Sequence, residues 1–152
     1  MANVTKKAGR VINGTHGAVW INGQKLFDLE SIELKVSIEY EDVYFPEDTG
    51  KYRKFMGWVG EGNLVLKKMY TRGANLLAKA VKTGQMPDVE ITTRLADPDS
   101  YGVERTSVSG VTFNEFLLAK IEQRTLLQEE MGFEFGDFDL LETIKEQEGI
   151  AA

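Results

Sequence analysis

Residues 31–45, SIELKVSIEYEDVYF, alternate without error. Ile32, Leu34, Val36, Ile38 and Tyr40 fall on one side and Glu33, Lys35, Ser37, Glu39 and Glu41 on the other, which is the period of two of a pleated strand. Residues 32–40 alone would extend roughly 30 Å at about 3.4 Å each. A strand of that length needs long partners. Its apolar side is expected in the protein's own core, and its charged side must face water or a water-filled space. Function then turns on what that wet face lines.

The 152 residues are read as one domain with a sizeable core, because 42% apolar and 28% charged residues describe a globular chain. No run approaches the roughly 18 consecutive apolar residues of a membrane helix. The opening MANVTKKAGRVINGTHG has no apolar stretch of the kind a signal peptide carries, so neither secretion nor a membrane anchor is expected. Without cysteine there are no disulfides, thiol nucleophiles or cysteine metal sites; the compartment is left open, with a cytosolic origin the better fit. A net charge of -6 argues against attraction to nucleic acid as the main activity.

Residues 1–12, with Lys6, Lys7 and Arg10 among small residues, read as an arm that orders only against a partner. Asn22-Gly23 between AVWI and QKLF predicts a tight hairpin, whereas Asn13-Gly14 predicts a plain turn. After the long strand, Phe45, Pro46, Glu47, Asp48, Thr49, Gly50, Lys51, Tyr52, Arg53 and Lys54 are expected to form a projecting loop. The next strand, 56–70, sets Met56, Trp58, Leu64 and Leu66 against Glu61, Asn63 and Lys67, and Gly57, Gly60 and Gly62 predict a bulge or a close backbone approach.

TRGANLLAKAVKTG predicts a helix over 71–84 ended by Gly84, lying on a sheet or plugging a barrel. A strand over 88–95 and a turn at Asp97-Pro98-Asp99 follow. Residues 103–116 read as extended, with a bulge at Ser109-Gly110 where the apolar parity changes. LLAKIEQR, 117–124, fits a short helix or a strand equally. In 127–135, Leu127, Met131, Phe133 and Phe135 share a face with Glu129 as its one charge; beyond it, 138–152 reads as a tail that docks weakly or stays partly disordered. The sum is six or seven strands and one helix in a mainly antiparallel domain.

Catalytic groups are scarce. His16, the one histidine, sits in a glycine-rich turn and reads as exposed, and one histidine cannot make a histidine metal site. Glu39 and Glu41 share a strand face, as an acid–base or calcium pair would, but read as solvated surface without EF-hand spacing. Gly60-Glu61-Gly62 lacks the third glycine of a dinucleotide loop, and Ser107 and Ser109 have no histidine near them. Tyr52-Arg53-Lys54-Phe55 interleaves bases and aromatics as single-strand binders do, yet in an acidic chain reads as a protein contact. No catalytic residue, metal or cofactor is expected. The rival to a structural role is a ligand-binding β-barrel with Trp20, Trp58, Phe113 and Phe133 around an internal pocket.

GTHGAVWINGQKLFDLESIELKV, MGWVGEGNLVLKKMYTRG, VEITTRLADPDSYGVERTSVSGVTF and TLLQEEMGFEFGDFDLLETI resemble the tail tube proteins of contractile-tailed phages, of PBSX-like prophage and diffocin type. The resemblance implies a mainly β domain over 13–144, a small antiparallel barrel or sandwich with one helix, between the arm 1–12 and a tail 145–152. It implies six copies in a ring completing a larger barrel, and rings stacked into a hollow tube inside a contractile sheath. Baseplate and tail-terminator proteins would be further partners. Assembly would occur in the bacterial cytoplasm, and the product would be part of a virion or a released phage-tail-like particle. On this resemblance Glu33, Lys35, Glu39, Glu61, Asn63 and Lys67 line the lumen, and the 45–54 loop reaches an adjacent subunit or ring, where Glu47 and Asp48 meet basic groups. An acidic bore would let DNA slide in transit without sticking. Phage, bacteriocin and secretion particles all remain open.

Overall fold

A computed structural model describes residues 8–146. Asn13 caps a 3-10 turn at Gly14–His16, its side chain accepting from the Thr15 N–H at 3.0 Å. Strands β1 (Gly17–Ile21) and β2 (Gln24–Lys25) follow, joined by Asn22 and Gly23 at φ 50° and 82°, the mirror-image turn whose twist matches a two-residue hairpin. Next come β3 (Leu29–Val43), β4 (Tyr52–Lys67), helix α1 (Arg72–Thr83), β5 (Ile91–Leu95), β6 (Glu104–Ser109), β7 (Thr112–Phe113), β8 (Gln128–Phe135) and β9 (Asp137–Glu142).

Every pairing is antiparallel, in a five-stranded sheet ordered β2-β1-β5-β6-β9 and a four-stranded sheet ordered β3-β4-β8-β7. The two layers enclose Val19, Leu64, Leu66, Ile91, Val108 and Phe133. The molecule is therefore a mainly β sandwich, and neither layer closes into a barrel on its own. In β4, Gly60 and Gly62 are bare because the rings of Phe135 and Phe133 fill the space a side chain would need. At Gly57 the register shifts, Glu39 pairing with Gly57 and Tyr40 with Phe55, so Met56 is the extra residue of a bulge.

Helix α1 buries Leu77 and Ala80 and ends at Gly84, whose left-handed φ of 77° lets its N–H reach the Ala80 carbonyl at 2.8 Å. Its first turn has no side-chain cap from Thr71. Two buried carboxylates hold this end instead: Asp28 meets the Arg72 guanidinium at 3.2 Å, and Glu129 lies 3.5 Å from Lys68 Nζ and against Gly73.

Several sequence expectations are corrected. The change of parity at Ser109-Gly110 is no bulge within one strand: the chain leaves one sheet after β6 and enters the other at β7, with Gly110 at φ 63°. Residues after Gly136 are no loose tail at first, since β9 pairs with β6 as an edge strand. Residues 117–124 form neither helix nor strand, and among the described residues nine strands, two of them of two residues, replace six or seven. Of the expected arm, residues 1–7 lie outside the described residues; Arg10 donates to the Asp99 carbonyl at 3.0 Å and sits over the Tyr101 ring. The end of the tail, 147–152, also lies outside them.

Candidate functional site

Antiparallel register places directly opposed side chains on one face of a sheet. Glu33 opposes Asn63, Lys35 opposes Glu61, Glu39 opposes Gly57, and on the other flank of β4 Asn63, Glu61 and Lys67 oppose Gly132, Glu134 and Gln128. All six residues singled out by alternation thus share the outer face of the four-stranded sheet. Glu41, Lys54, Glu130 and Glu134 join them, so Glu33, Glu39, Glu41, Glu61, Glu130 and Glu134 outnumber Lys35, Lys54 and Lys67. Asn63 donates to Glu130 at 2.8 Å and Lys67 lies 3.7 Å from Glu30. Sequence parity within β8 held the signal for Glu130 and Glu134; without the pairing of β8 to β4 it could not be joined to the others.

The opposite face of the hairpin corrects the expectation that the apolar side of β3 is core. Ile32 and Leu34 are half-buried, but Val36, Ile38 and Tyr40 are 39%, 52% and 43% exposed. The cause is length: β5 and β6, with 5 and 6 residues, underlie only part of strands of 15 and 16. Phe55 opposes Tyr40 and is also exposed, and Arg53 lies 3.9 Å above the Tyr40 ring. A contiguous uncovered apolar surface of this kind marks an interaction face.

The expected 45–54 loop is narrower than predicted, because Tyr52, Arg53 and Lys54 already belong to β4. The tip is internally braced. Asp48 accepts from the Gly50 N–H at 2.7 Å and from the Tyr52 hydroxyl at 2.8 Å, Phe45 packs edge-on against Tyr52 at 5.7 Å, and Lys51 lies 3.9 Å from Asp42. Glu47 takes a positive φ of 63°. The Gly50 bond and then the Tyr52 bond hold the Asp48 carboxyl below its ordinary 3.8, and the same contact pushes the Tyr52 phenol above its ordinary 10.0. A depressed carboxylate stabilises above its unfolded pKa and loses that contribution as pH falls through the folded one. The tip should therefore keep its order down to about pH 4 and loosen only below it. Amide exchange at Gly50 followed by NMR would check this, and an onset above pH 5 would contradict it.

A cleft of about 630 Å³ separates the sheets beneath β3, lined by Leu34, Val36, Leu95, Thr106, Phe138 and Leu140 among others. Trp20, Trp58, Phe113 and Phe133 do not line it, which removes the basis for the ligand-barrel alternative. Phe113 and Phe133 pack on each other at 5.5 Å, Trp58 packs on Phe138 at 5.3 Å and on Phe135 at 6.3 Å, and Trp20 lies under Arg105. His16 is partly exposed with Nε2 3.9 Å from Asp97, whose carboxyl is kept low by the N–H groups of Asn13 and Asp99. Among the described residues no three His, Cys, Asp or Glu side chains gather as a metal site would require, and no helix is long and apolar enough to cross a membrane.

A family model described as phage tail tube protein matches residues 4–142. The phage-like element PBSX protein XkdM of Bacillus subtilis (strain 168) is 26% identical over 142 residues, which is 92% of this chain and 97% of that protein. Among solved structures, the extended-state sheath–tube complex of the extracellular contractile injection system PVC contains a chain with the same fold, at a TM-score of 0.69 and 9% identity over 93% of this chain and 99% of that one. The extended-state sheath/tube terminator of PVC gives a TM-score of 0.69 and 11% identity over 84% of this chain and 94% of that one.

Proposed function

Since this chain belongs to the phage tail tube protein family, whose members are structural and not enzymes, we propose that it builds the inner tube of a contractile tail or phage-tail-like particle as stacked hexameric rings. One observation carries the reading: the four-stranded sheet has one charged, solvated face and two open edges, β3 and β7. Exposed edges invite pairing, and a closed ring satisfies them where an open chain of copies would not. Joined edge to edge, these sheets would form a continuous inner wall with Glu33, Lys35, Glu39, Glu61, Asn63 and Lys67 facing the lumen. The five-stranded sheet would then form the outer wall toward a sheath. The braced tip from Phe45 to Lys51 would reach an adjacent subunit or ring, with Glu47 and Asp48 toward basic groups. The excess of carboxylates on the lumen face would repel phosphates and let DNA pass without adhering. Sheath, baseplate and terminator proteins are the partners this role requires.

Negative-stain microscopy of concentrated protein is expected to show rings or hollow tubes, and particles that stay monomeric would count against the role. The exposed apolar side of the hairpin sharpens the test. Ile38→Glu with Phe55→Glu should leave the monomer's stability within about 0.5 kcal/mol per site, as surface changes do. The same pair should abolish tubes in sedimentation and microscopy; tubes surviving both charges would mean that this face is not part of the interface.

A further inference from the structure

The stretch from Asn114 to Leu127 joins β7 to β8 without regular structure, and Leu118, Ile121 and Leu126 in it are 78%, 88% and 96% exposed. Aliphatic side chains left this bare have no packing partner among the described residues. The cleft beneath β3 is the converse, an apolar-lined space of about 630 Å³ that none of the described residues fills. The topology puts the two on opposite margins of one sheet. β3 is one edge strand and flanks the cleft; β7 is the other and leads directly into the bare loop.

From these placements we infer that the 114–127 loop of one copy seats its aliphatic side chains in the cleft beneath β3 of the next copy in the ring. When four-stranded sheets meet edge to edge, β3 of one copy lies beside β7 of its neighbour, and the loop that follows β7 arrives at the lip of the cleft. Charge does not oppose the match: Lys120 and Arg124 on the loop are balanced by Glu115 and Glu122, and Lys35 and Arg94 on the cleft lining by Glu30 and Glu104. The surfaces are different patches of the same chain, so the contact is heterologous and propagates until the ring closes. Being apolar, it would exclude water behind the charged inner wall.

The inference rests on the ring-forming role proposed above, and the absence of cysteine gives it a direct test. Val36→Cys and Ile121→Cys, placed in separate full-length chains, are co-assembled and oxidised. Disulfide-linked dimers are expected from an equal mixture, with loss of about half of the monomer band on a non-reducing gel, as random placement of two variants in one ring allows, and none from either variant alone. The double variant should give a ladder that stops at the ring size. Tubes that form but never cross-link would overturn the docking and leave the tube role standing. A ladder running past ring size would assign the loop to contacts between stacked rings and overturn the lateral docking. Failure of the unaltered chain to form rings or tubes would overturn both.

Discussion

Arg72→Ala is expected to cost the isolated domain about 3 kcal/mol, at the low end for breaking a buried ion pair. Asp28 keeps only 2% of its side chain exposed and has the Arg72 guanidinium at 3.2 Å, while Arg72 itself remains 23% exposed, so water offsets part of the loss. The cost arises chiefly from the carboxylate left behind, because a buried charge without a partner has surrendered its hydration for nothing. Adding Asp28→Asn to Arg72→Ala should therefore recover about 1 kcal/mol or more, a coupling typical of groups in contact. Urea unfolding of the four variants decides it; a loss below 1 kcal/mol for Arg72→Ala would show that the Asp28–Arg72 pair does not hold the start of α1. The helix root is more polar than its stripe suggests, since one oxygen of Glu129 is buried without a hydrogen-bond donor.

Phe133→Ala should remove about 3–5 kcal/mol by opening a cavity in the centre of the core, where the ring is 1% exposed. Gly62→Ala should cost about 1–3 kcal/mol for the opposite reason, since its methyl group would overlap that same ring. The two losses are not independent. With the ring gone the new methyl has only the tip of the Leu34 side chain, 3.0 Å away, left to displace, so the double variant should be less destabilised than the sum by about 1 kcal/mol or more. Additivity within about 0.5 kcal/mol would disprove the account of why β4 carries glycine there.

The charged face was legible because a period of two is a property of each strand by itself, and Glu33, Lys35 and Glu39 announce it before any partner is known. The tight turn at Asn22-Gly23 and the helix stop at Gly84 were legible for a similar reason, being set by backbone chemistry within a few residues. Reversals that depend on distant segments were not. A chain that passes between sheets at Gly110 shows the same break in parity as one that bulges, and only the pairing of β6 with β9 and of β7 with β8 separates the two. Leu117, Leu118 and Ile121 have helical spacing, yet they lie in an irregular stretch, where only Leu117 is partly buried and no described residue covers Leu118 and Ile121. The exposure of Ile38 and Tyr40 followed from the shortness of strands whose packing onto β3 the alternation could not reveal. The proposed contact between copies was illegible for the most basic reason, that its second half would belong to another molecule.

The crossings at Gly110 and Gly136 both lie at the Ser109 and Asp137 ends of the five-stranded sheet, side by side, with the Gly136 N–H bonded to the Ser109 carbonyl at 3.1 Å. At the other ends Leu95 and Glu104 are joined to each other by residues 96–103 and Gly17 follows the 3-10 turn, all three lining the cleft, while residues 26–28 carry β2 of this sheet into β3 of the other. The two layers are thus tied at the Gly110 and Gly136 crossings and again where β2 runs into β3, with the Lys67 N–H bonded to the Asp28 carbonyl at 2.7 Å, and the cleft is the part of their boundary these ties leave open.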